Sequence, residues 1–138
     1  MKSLDSVRIN QLDAATTDWL ADLVRILDAK DVDAYVARMA DDVEVVFNNG
    51  DVSMRGREDV RAGLREFWRS FGTLEHEELN LYGGARHLVH EALNHYTTLD
   101  GRAVTLRAVA WIDRDDDGLV TSLRVYSDQS PLWAQPSA

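Results

Sequence analysis

The residues that could do chemistry are few. Cysteine is absent, which removes disulfides, a thiol nucleophile and cysteine-ligated metals. The histidines are His76, His87, His90 and His95. On a strand, positions i and i+2 share a face, so His87 and His95 fall on one side and His90 on the other. His87 and His95 lie about 26 Å apart at about 3.3 Å per residue, too far to share one metal. The stretch Asp113-Arg114-Asp115-Asp116-Asp117-Gly118 mimics the start of a calcium loop. Its twelfth position, which needs a bidentate Glu, is Arg124, and its flanks read as strands, so it is an acidic hairpin tip. Gly83-Gly84 joins two strands and opens no helix, so it is no phosphate loop. Ser53, Ser70, Ser122, Ser127 and Ser130 lack a nucleophile-elbow context. What remains is a carboxylate and an imidazole, Glu91 and His95, whose placement depends on the strands that carry them.

That placement follows from hairpin register. Gly83-Gly84, Asp100-Gly101 and Asp117-Gly118 divide the second half into an antiparallel meander with predicted strands near 74–82, 86–98, 103–113 and 119–128. Val104, Leu106, Ala108, Ala110 and Ile112 form one wholly apolar face, which must be the inner one. A two-residue Asp100-Gly101 turn pairs 95 with 106 and 91 with 110, and thereby turns Val89, Glu91, Leu93, His95 and Thr97 inward. The next turn pairs 123 with 112 and 125 with 110, so Leu123, Val125 and Ser127 also point inward. A three-residue loop at 83–85 with a glycine bulge places Leu79 and Leu81 inward. Ala108 and Ala110 leave room at the centre of the sheet. Glu91 and His95 point into that room, and a buried polar group must be hydrogen-bonded or put to use. The outer face then carries His90, Asn94 and Tyr96, with Arg107, Val109, Trp111, Arg124 and Tyr126. Its aromatic and arginine content is that of a protein interface, here a homodimer.

The first half is helical. Trp19, Leu20, Leu23, Val24, Ile26 and Leu27 recur with helical period, with Thr16 or Thr17 as a start. A second stripe is Val32, Tyr35, Val36 and Met39, capped by Asp31. A third is Val60, Leu64, Phe67, Trp68 and Phe71, preceded by Gly56, with Glu58 and Asp59 favourable at its start. Between the second and third, residues 43–47 form a short strand and residues 48–51 a turn.

The whole chain of 138 residues is one domain's worth, large enough to bury a core and keep a small cavity. Its net charge is −9, which argues against nucleic acid and anionic membranes as partners. The opening MKSLDSVRIN lacks a signal-like apolar run, so a cytoplasmic location is expected. Thirteen arginines against two lysines hint at a GC-rich bacterial source.

The order helix, helix, short strand, helix, curled meander resembles the nuclear-transport-factor-2-like superfamily, and within it the SnoaL-like proteins. Ala40-Asp41-Asp42-Val43, Gly56-Arg57-Glu58-Asp59-Val60, Asp117-Gly118-Leu119-Val120 and Arg124-Val125-Tyr126-Ser127-Asp128 look like phrases of that family. The likeness covers residues 13–133, leaving 1–12 and 134–138 as tails. It implies an α+β cone: a curled antiparallel sheet of a four-strand meander plus a short first strand, packed on three helices. It also implies an apolar pocket at one end and frequent dimerisation. Members include ketosteroid isomerase, limonene epoxide hydrolase, scytalone dehydratase and polyketide cyclases. The usual catalytic acids are replaced. Phe47 stands where ketosteroid isomerase has its base. Leu123 and Val125 stand where cyclases and epoxide hydrolases carry a Trp and an Asp. The hydrolase Arg/Asp pair falls near Glu91 and Leu93, and its Asn near Asn49.

Together these readings predict a protein that binds a small apolar molecule without a cofactor or metal. Trp19, Tyr35, Phe47 and Trp68 would wall the pocket, with Leu93, Ala108, Ala110, Leu123 and Val125 from the sheet. Asn49, Glu91 and His95 would be the polar contacts. As an enzyme it would be an isomerase, cyclase or dehydratase using Glu91 as general acid or base and His95 as proton partner. Scytalone dehydratase is similar in using strand histidines. The alternative is a non-catalytic dimerisation or scaffold module with a filled pocket.

Overall fold

The computed structural model describes residues 1–5, 7–9 and 12–134. Its elements run β1 (Arg8–Ile9), α1 (Ala14–Asp28), α2 (Val32–Val36), β2 (Met39–Phe47), β3 (Val52–Arg55), α3 (Arg57–Arg69), β4 (Thr73–Gly83), β5 (His87–Thr97), β6 (Ala103–Arg114), β7 (Val120–Tyr126) and α4 (Ser130–Trp133). The strands form one open, curled sheet in the order β1-β4-β5-β6-β7-β2-β3. The expected α+β architecture is present, and the meander β4 to β7 is its centre. Helices α1, α2 and α3 pack their apolar stripes onto one face, and the core lies between.

Local chemistry explains most boundaries. Asp13 caps α1 by accepting the Thr16 amide at 2.7 Å, so the cap precedes both threonines expected there. Asp31 caps α2 as expected, accepting the Ala34 amide at 3.1 Å. Each such cap contributes about 1 kcal/mol. Met39 leaves the second helical stripe and opens β2, which runs parallel to β7 and pairs Met39 with Val120. The turn at 48–51 leads into β3, a strand the sequence reading left out, paired antiparallel with β2. Arg8 and Ile9, expected in a loose tail, pair in parallel with Asn80 and Leu81. At the other end Ala134 follows α4, and residues 135–138, Pro136 included, lie outside the described residues.

The register of the meander decides what faces the helices. Between β6 and β7 it is the expected one, with Ile112 opposite Leu123 and Ala110 opposite Val125. Between β5 and β6 it is shifted: Thr97 pairs with Ala103, Ala92 with Ala108 and His90 with Ala110. The loop is Leu99-Asp100-Gly101, three residues instead of two. The Thr98 amide donates to Arg102 O at 2.9 Å, and the Arg102 amide donates to Thr98 Oγ1 at 2.9 Å. Gly101 closes the loop at φ +87°, the left-handed position such loops need. One residue of slip turns every β5 side chain over. Leu88, His90, Ala92, Asn94 and Tyr96 therefore face inward, and Val89, Glu91, Leu93, His95 and Thr97 face outward.

Strand β4 adds a bulge. Leu81 pairs with His90, but Glu78 pairs with Ala92, so an extra residue is taken up at Leu79. Leu81 is inward as expected, while Leu79 is half-buried at the irregularity. Beyond the bulge Glu78, His76 and Leu74 occupy the inner face, and all three are buried.

Candidate functional site

The inner face is built of small residues at its middle. Ala92 and Ala108 lie opposite each other, and Ala110 follows on β6. Above this floor α1 contributes Leu23 and Leu27, α2 contributes Tyr35, and α3 contributes Leu64, Phe67 and Trp68. The side chains do not fill the gap. A cavity of about 100 Å³ remains between floor and helices. The Tyr35 and Trp68 rings meet edge to face at 6.3 Å and wall one side. Of the expected pocket residues, Tyr35, Phe47, Trp68, Ala108, Ala110, Leu123 and Val125 line this cavity. A second, more open cleft of about 360 Å³ adjoins it, reaching Val52 and the half-exposed Trp133. Phe47, Met54, Leu64, Phe67 and Gln129 border both spaces, so they form the partition between them.

The polar groups in the cavity wall are not those expected. His76 and His90 both line it, and each is backed by a carboxylate. His76 Nδ1 stands 2.6 Å from Asp28 Oδ1, and the His76 amide donates to the same carboxylate at 3.2 Å. Asp28 is the last residue of α1, where the helix dipole disfavours a carboxylate. Burial also works to raise the Asp28 pKa. The hydrogen bond and charge of His76, with the Met1 amino group at 3.1 Å, outweigh it and hold the carboxyl below its ordinary value. His90 Nδ1 stands 2.9 Å from Glu78 Oε2 and 3.1 Å from Oε1. This second pair is buried, with the Glu78 side chain only 1% exposed.

Asn94, Tyr96, Ser127 and Gln129 complete the polar lining. Burial pushes the Tyr96 hydroxyl up to about 12 against a hydrogen bond from Asn94, so it stays protonated. Burial likewise raises Tyr35. Asn94 Oδ1 is buried and, among the described residues, the only buried side-chain polar atom without a hydrogen-bond partner. Among the described residues no three His, Cys, Asp or Glu side chains converge as a metal site requires.

The remaining expectations are corrected by the shifted register and by local geometry. Glu91 lies on the outer face, bonded to Asn80 Nδ2 and to Arg107 Nη1, the latter at 3.2 Å. His95 is outside as well, with Nε2 2.7 Å from Glu77 Oε1 and Nδ1 2.9 Å from Thr105 Oγ1. The proposed acid and its partner are thus surface groups, and Leu93 between them is an outer-face residue. Asn49 is exposed in its turn. Its neighbour Asn48 is the structural one, with Nδ2 donating to Ser127 O at 2.9 Å and Oδ1 accepting the Ser127 amide at 3.0 Å. Trp19 packs beneath the Arg114 guanidinium, 4.4 Å from its ring centroid, and is not part of the cavity lining. Tyr96, expected on the outer face, is buried in the cavity wall. Arg107, Val109, Trp111, Arg124 and Tyr126 do lie on the outer side, where Trp111 and Tyr126 are about half exposed. The signal that would have found His90 is the three-residue Leu99-Asp100-Gly101 loop, whereas His76 comes inward through the bulge at Leu79. The glycine of that loop sits at the third position, where such loops put their left-handed residue.

The SnoaL-like domain family matches residues 20–123, three quarters of the chain and nearly all of the site. The chain belongs to the SnoaL-like family. No curated protein matches the chain significantly in sequence. Solved SnoaL-like and related structures share its fold at low identity. One is a SnoaL-like polyketide cyclase described as putative, from Shewanella denitrificans OS-217. It is 10% identical with a TM-score of 0.75, over 86% of this chain and 93% of that one. Another is SalBIII, an epoxide hydrolase/cyclase-like enzyme with a role in pyran ring formation in the polyether salinomycin. It is 18% identical with a TM-score of 0.73, over 84% and 92%. A third is RV0760c from Mycobacterium tuberculosis in complex with estradiol-17beta-hemisuccinate. It is 20% identical with a TM-score of 0.72, over 86% and 97%. No described helix is long and apolar enough to cross a membrane.

Proposed function

We propose that this SnoaL-like protein binds a small, largely apolar organic molecule in the cavity and moves a proton on it with its own side chains, as an isomerase, cyclase or dehydratase. The observation that carries this reading is that both histidines of one apolar cavity have Nδ1 held by a buried carboxylate. A carboxylate that accepts from Nδ1–H orients each ring and leaves Nε2 as the nitrogen that can exchange a proton with a ligand. Such a ring is a base at Nε2, and once protonated it is an acid at the same atom.

The two rings stand at opposite ends of the alanine floor. His76 pairs across from Asn94, and His90 lies four residues from Asn94 on β5, about 13 Å of strand. A ring-sized molecule between them meets one imidazole at each end. His76, backed by the low-pKa Asp28, takes a proton from an activated carbon. His90, backed by Glu78, acts in the form that carries a proton on Nε2 as well: it gives that proton to another carbon, or to a hydroxyl whose C–O bond breaks as it leaves as water, and exchange with solvent then resets both rings. Similar solved structures that hold small organic molecules, such as the estradiol-17beta-hemisuccinate complex, support a small-molecule ligand for this chain.

The reading is tested with cyclohexanone in D₂O, following loss of its α-proton NMR signals. The protein is expected to speed exchange over buffer, and His76→Gln to remove that gain while leaving the fold intact by circular dichroism. Equal exchange by wild type and His76→Gln would sink it. The outer face, with Trp111, Arg124 and Tyr126, is in this reading the surface of a homodimer.

A further inference from the structure

Gly63 stands in the middle of α3, where glycine favours a helix less than alanine does. Its backbone does not require it, since Gly63 is not among the glycines with positive φ. Space does. A methyl group at this position would collide with Met54 Sδ, and the next nearest atoms are again those of Met54, Cγ at 3.5 Å and Cε at 3.8 Å. The helix forgoes a better residue here and leaves a recess for one side chain of β3.

Met54 is placed to divide two spaces. Strand β3 is the edge of the sheet beside β2, and Met54 lies opposite Val45, itself a wall of the inner cavity. The Met54 side chain borders the inner cavity on one side and the outer cleft on the other, whereas Gly63 borders the cleft only. The thioether therefore leans toward α3, into the recess, and away from the inner cavity. Methionine is unbranched with three rotatable bonds, so such a partition can swing at low cost.

Volume requires the partition to yield. An engineered apolar cavity of about 150 Å³ in another protein takes up benzene. The inner space here is about 100 Å³, so a ring lying over Ala92 and Ala108 reaches the partition. Beyond it the cleft offers about 360 Å³ between apolar walls that include Phe47, Val52, Phe67 and Trp133. No Lys or Arg lines either space, so neither holds a counter-ion for an acid.

We infer that the cavity and the cleft form one two-part site for an elongated apolar molecule, with its ring on the alanine floor and its extension in the cleft. Met54 is the movable partition between the parts, and Gly63 is the recess that holds it aside. The inference rests on the reading of the cavity as a ligand site, but not on proton transfer taking place there.

Toluene and n-butylbenzene, which differ only in the length of the tail, test it. Each is titrated into the full chain and followed by NMR of the Ala108 and Met54 methyl groups and the Trp133 indole N–H. Both probes are expected to shift Ala108 and Met54, and butylbenzene alone to shift Trp133 as well, with all three signals saturating together. Gly63→Ala presses the thioether over the inner cavity and should weaken butylbenzene about tenfold. In a Met54→Ala background the same substitution should change the affinity by less than about twofold, because the obstructing side chain is gone. The wild-type shifts decide the matter by themselves if a variant does not fold. Butylbenzene shifting Ala108 alone or Trp133 alone, a Met54 methyl that does not move, a Gly63→Ala effect that is absent or independent of Met54, or no shift by either probe at its solubility limit would each overturn the inference. Trp133 shifting alone would make the cleft a surface separate from the cavity. The two-part pattern with cyclohexanone exchange unaffected by His76→Gln would instead leave this inference standing and remove the catalytic reading.

Discussion

His76 Nδ1 lies 2.6 Å from Asp28 Oδ1, tying the last residue of α1 to the middle of β4 across 48 residues of chain. The contact is both a candidate catalytic pair and a fastening between a helix and the sheet. Removing either partner should therefore affect stability as well as chemistry, and the two effects can be separated by pH.

Acid should unlock this fastening. The Asp28 pKa is lowered in the folded chain, so the unfolded state binds the proton more readily. The stabilisation is complete above the unfolded carboxyl value, about 3.9, and is lost as pH falls through the lower folded value. Urea unfolding from pH 6 down to pH 2.5 should show a steeper acid loss for wild type than for Asp28→Asn. Parallel curves would show that Asp28 contributes nothing pH-dependent.

Filling the floor should close the cavity cheaply. Ala108 is 8% exposed and opposite Ala92, with empty space above it. Ala108→Leu adds three carbons into that space, so overpacking is avoided and stability should change by no more than about 1–1.5 kcal/mol. Cyclohexanone exchange should disappear. A leucine variant that is destabilised by several kcal/mol would mean the space is not available to a side chain or a ligand.

Lys30 should be a structural lysine. Its Nζ donates to the carbonyls of Trp68, Phe71 and Gly72, at 2.8, 3.1 and 2.7 Å, and lies 4.4 Å over the Phe71 ring. Trp68 lies in the last turn of α3 and Phe71 and Gly72 follow it, so the ammonium serves carbonyls at the C-terminal end of the helix. Lys30→Met keeps the stem and a non-glycine side chain at φ +55° while deleting the ammonium. A loss of about 1–3 kcal/mol in urea unfolding is expected. A loss below about 0.5 kcal/mol would show that water serves these carbonyls equally well.

The outer face should hold a second copy. Trp111 is opposite Arg124, whose guanidinium lies 5.6 Å from its ring centroid, and Tyr126 is opposite Val109. If this exposed aromatic surface joins two chains, light scattering should give a dimer mass for wild type and a monomer mass for Trp111→Glu. Cyclohexanone exchange should be unchanged by that substitution, because Trp111 faces away from the cavity. A monomeric wild type would refute the interface.

Much of the architecture was legible from periodicity and turn chemistry. The alternation Val104 to Ile112 identified the inner face of β6, and the Asp117-Gly118 turn gave the correct β7 partners. Asp31 as a cap and the helical stripes of α1 and α3 were equally local signals. The acid–base pairs were not legible, for two reasons. A loop of three residues instead of two at Leu99-Asp100-Gly101 inverts β5, exchanging Glu91 and His95 for His90 and Asn94. A bulge at Leu79 then brings Glu78 inward without losing Leu81. Each hinges on one residue of register, and a strand's period of two makes such a slip total.

The sequence by itself determined the three main helices, the four meander strands, their order and the apolar stripes that bury them, because those depend on neighbours within a few residues. Only the tertiary structure decided which polar groups share the cavity. Asp28 reaches His76, and Glu78 reaches His90, through the packing of α1 on the sheet and the register of β4 on β5. Those contacts join residues far apart in the chain, and no local preference specifies them.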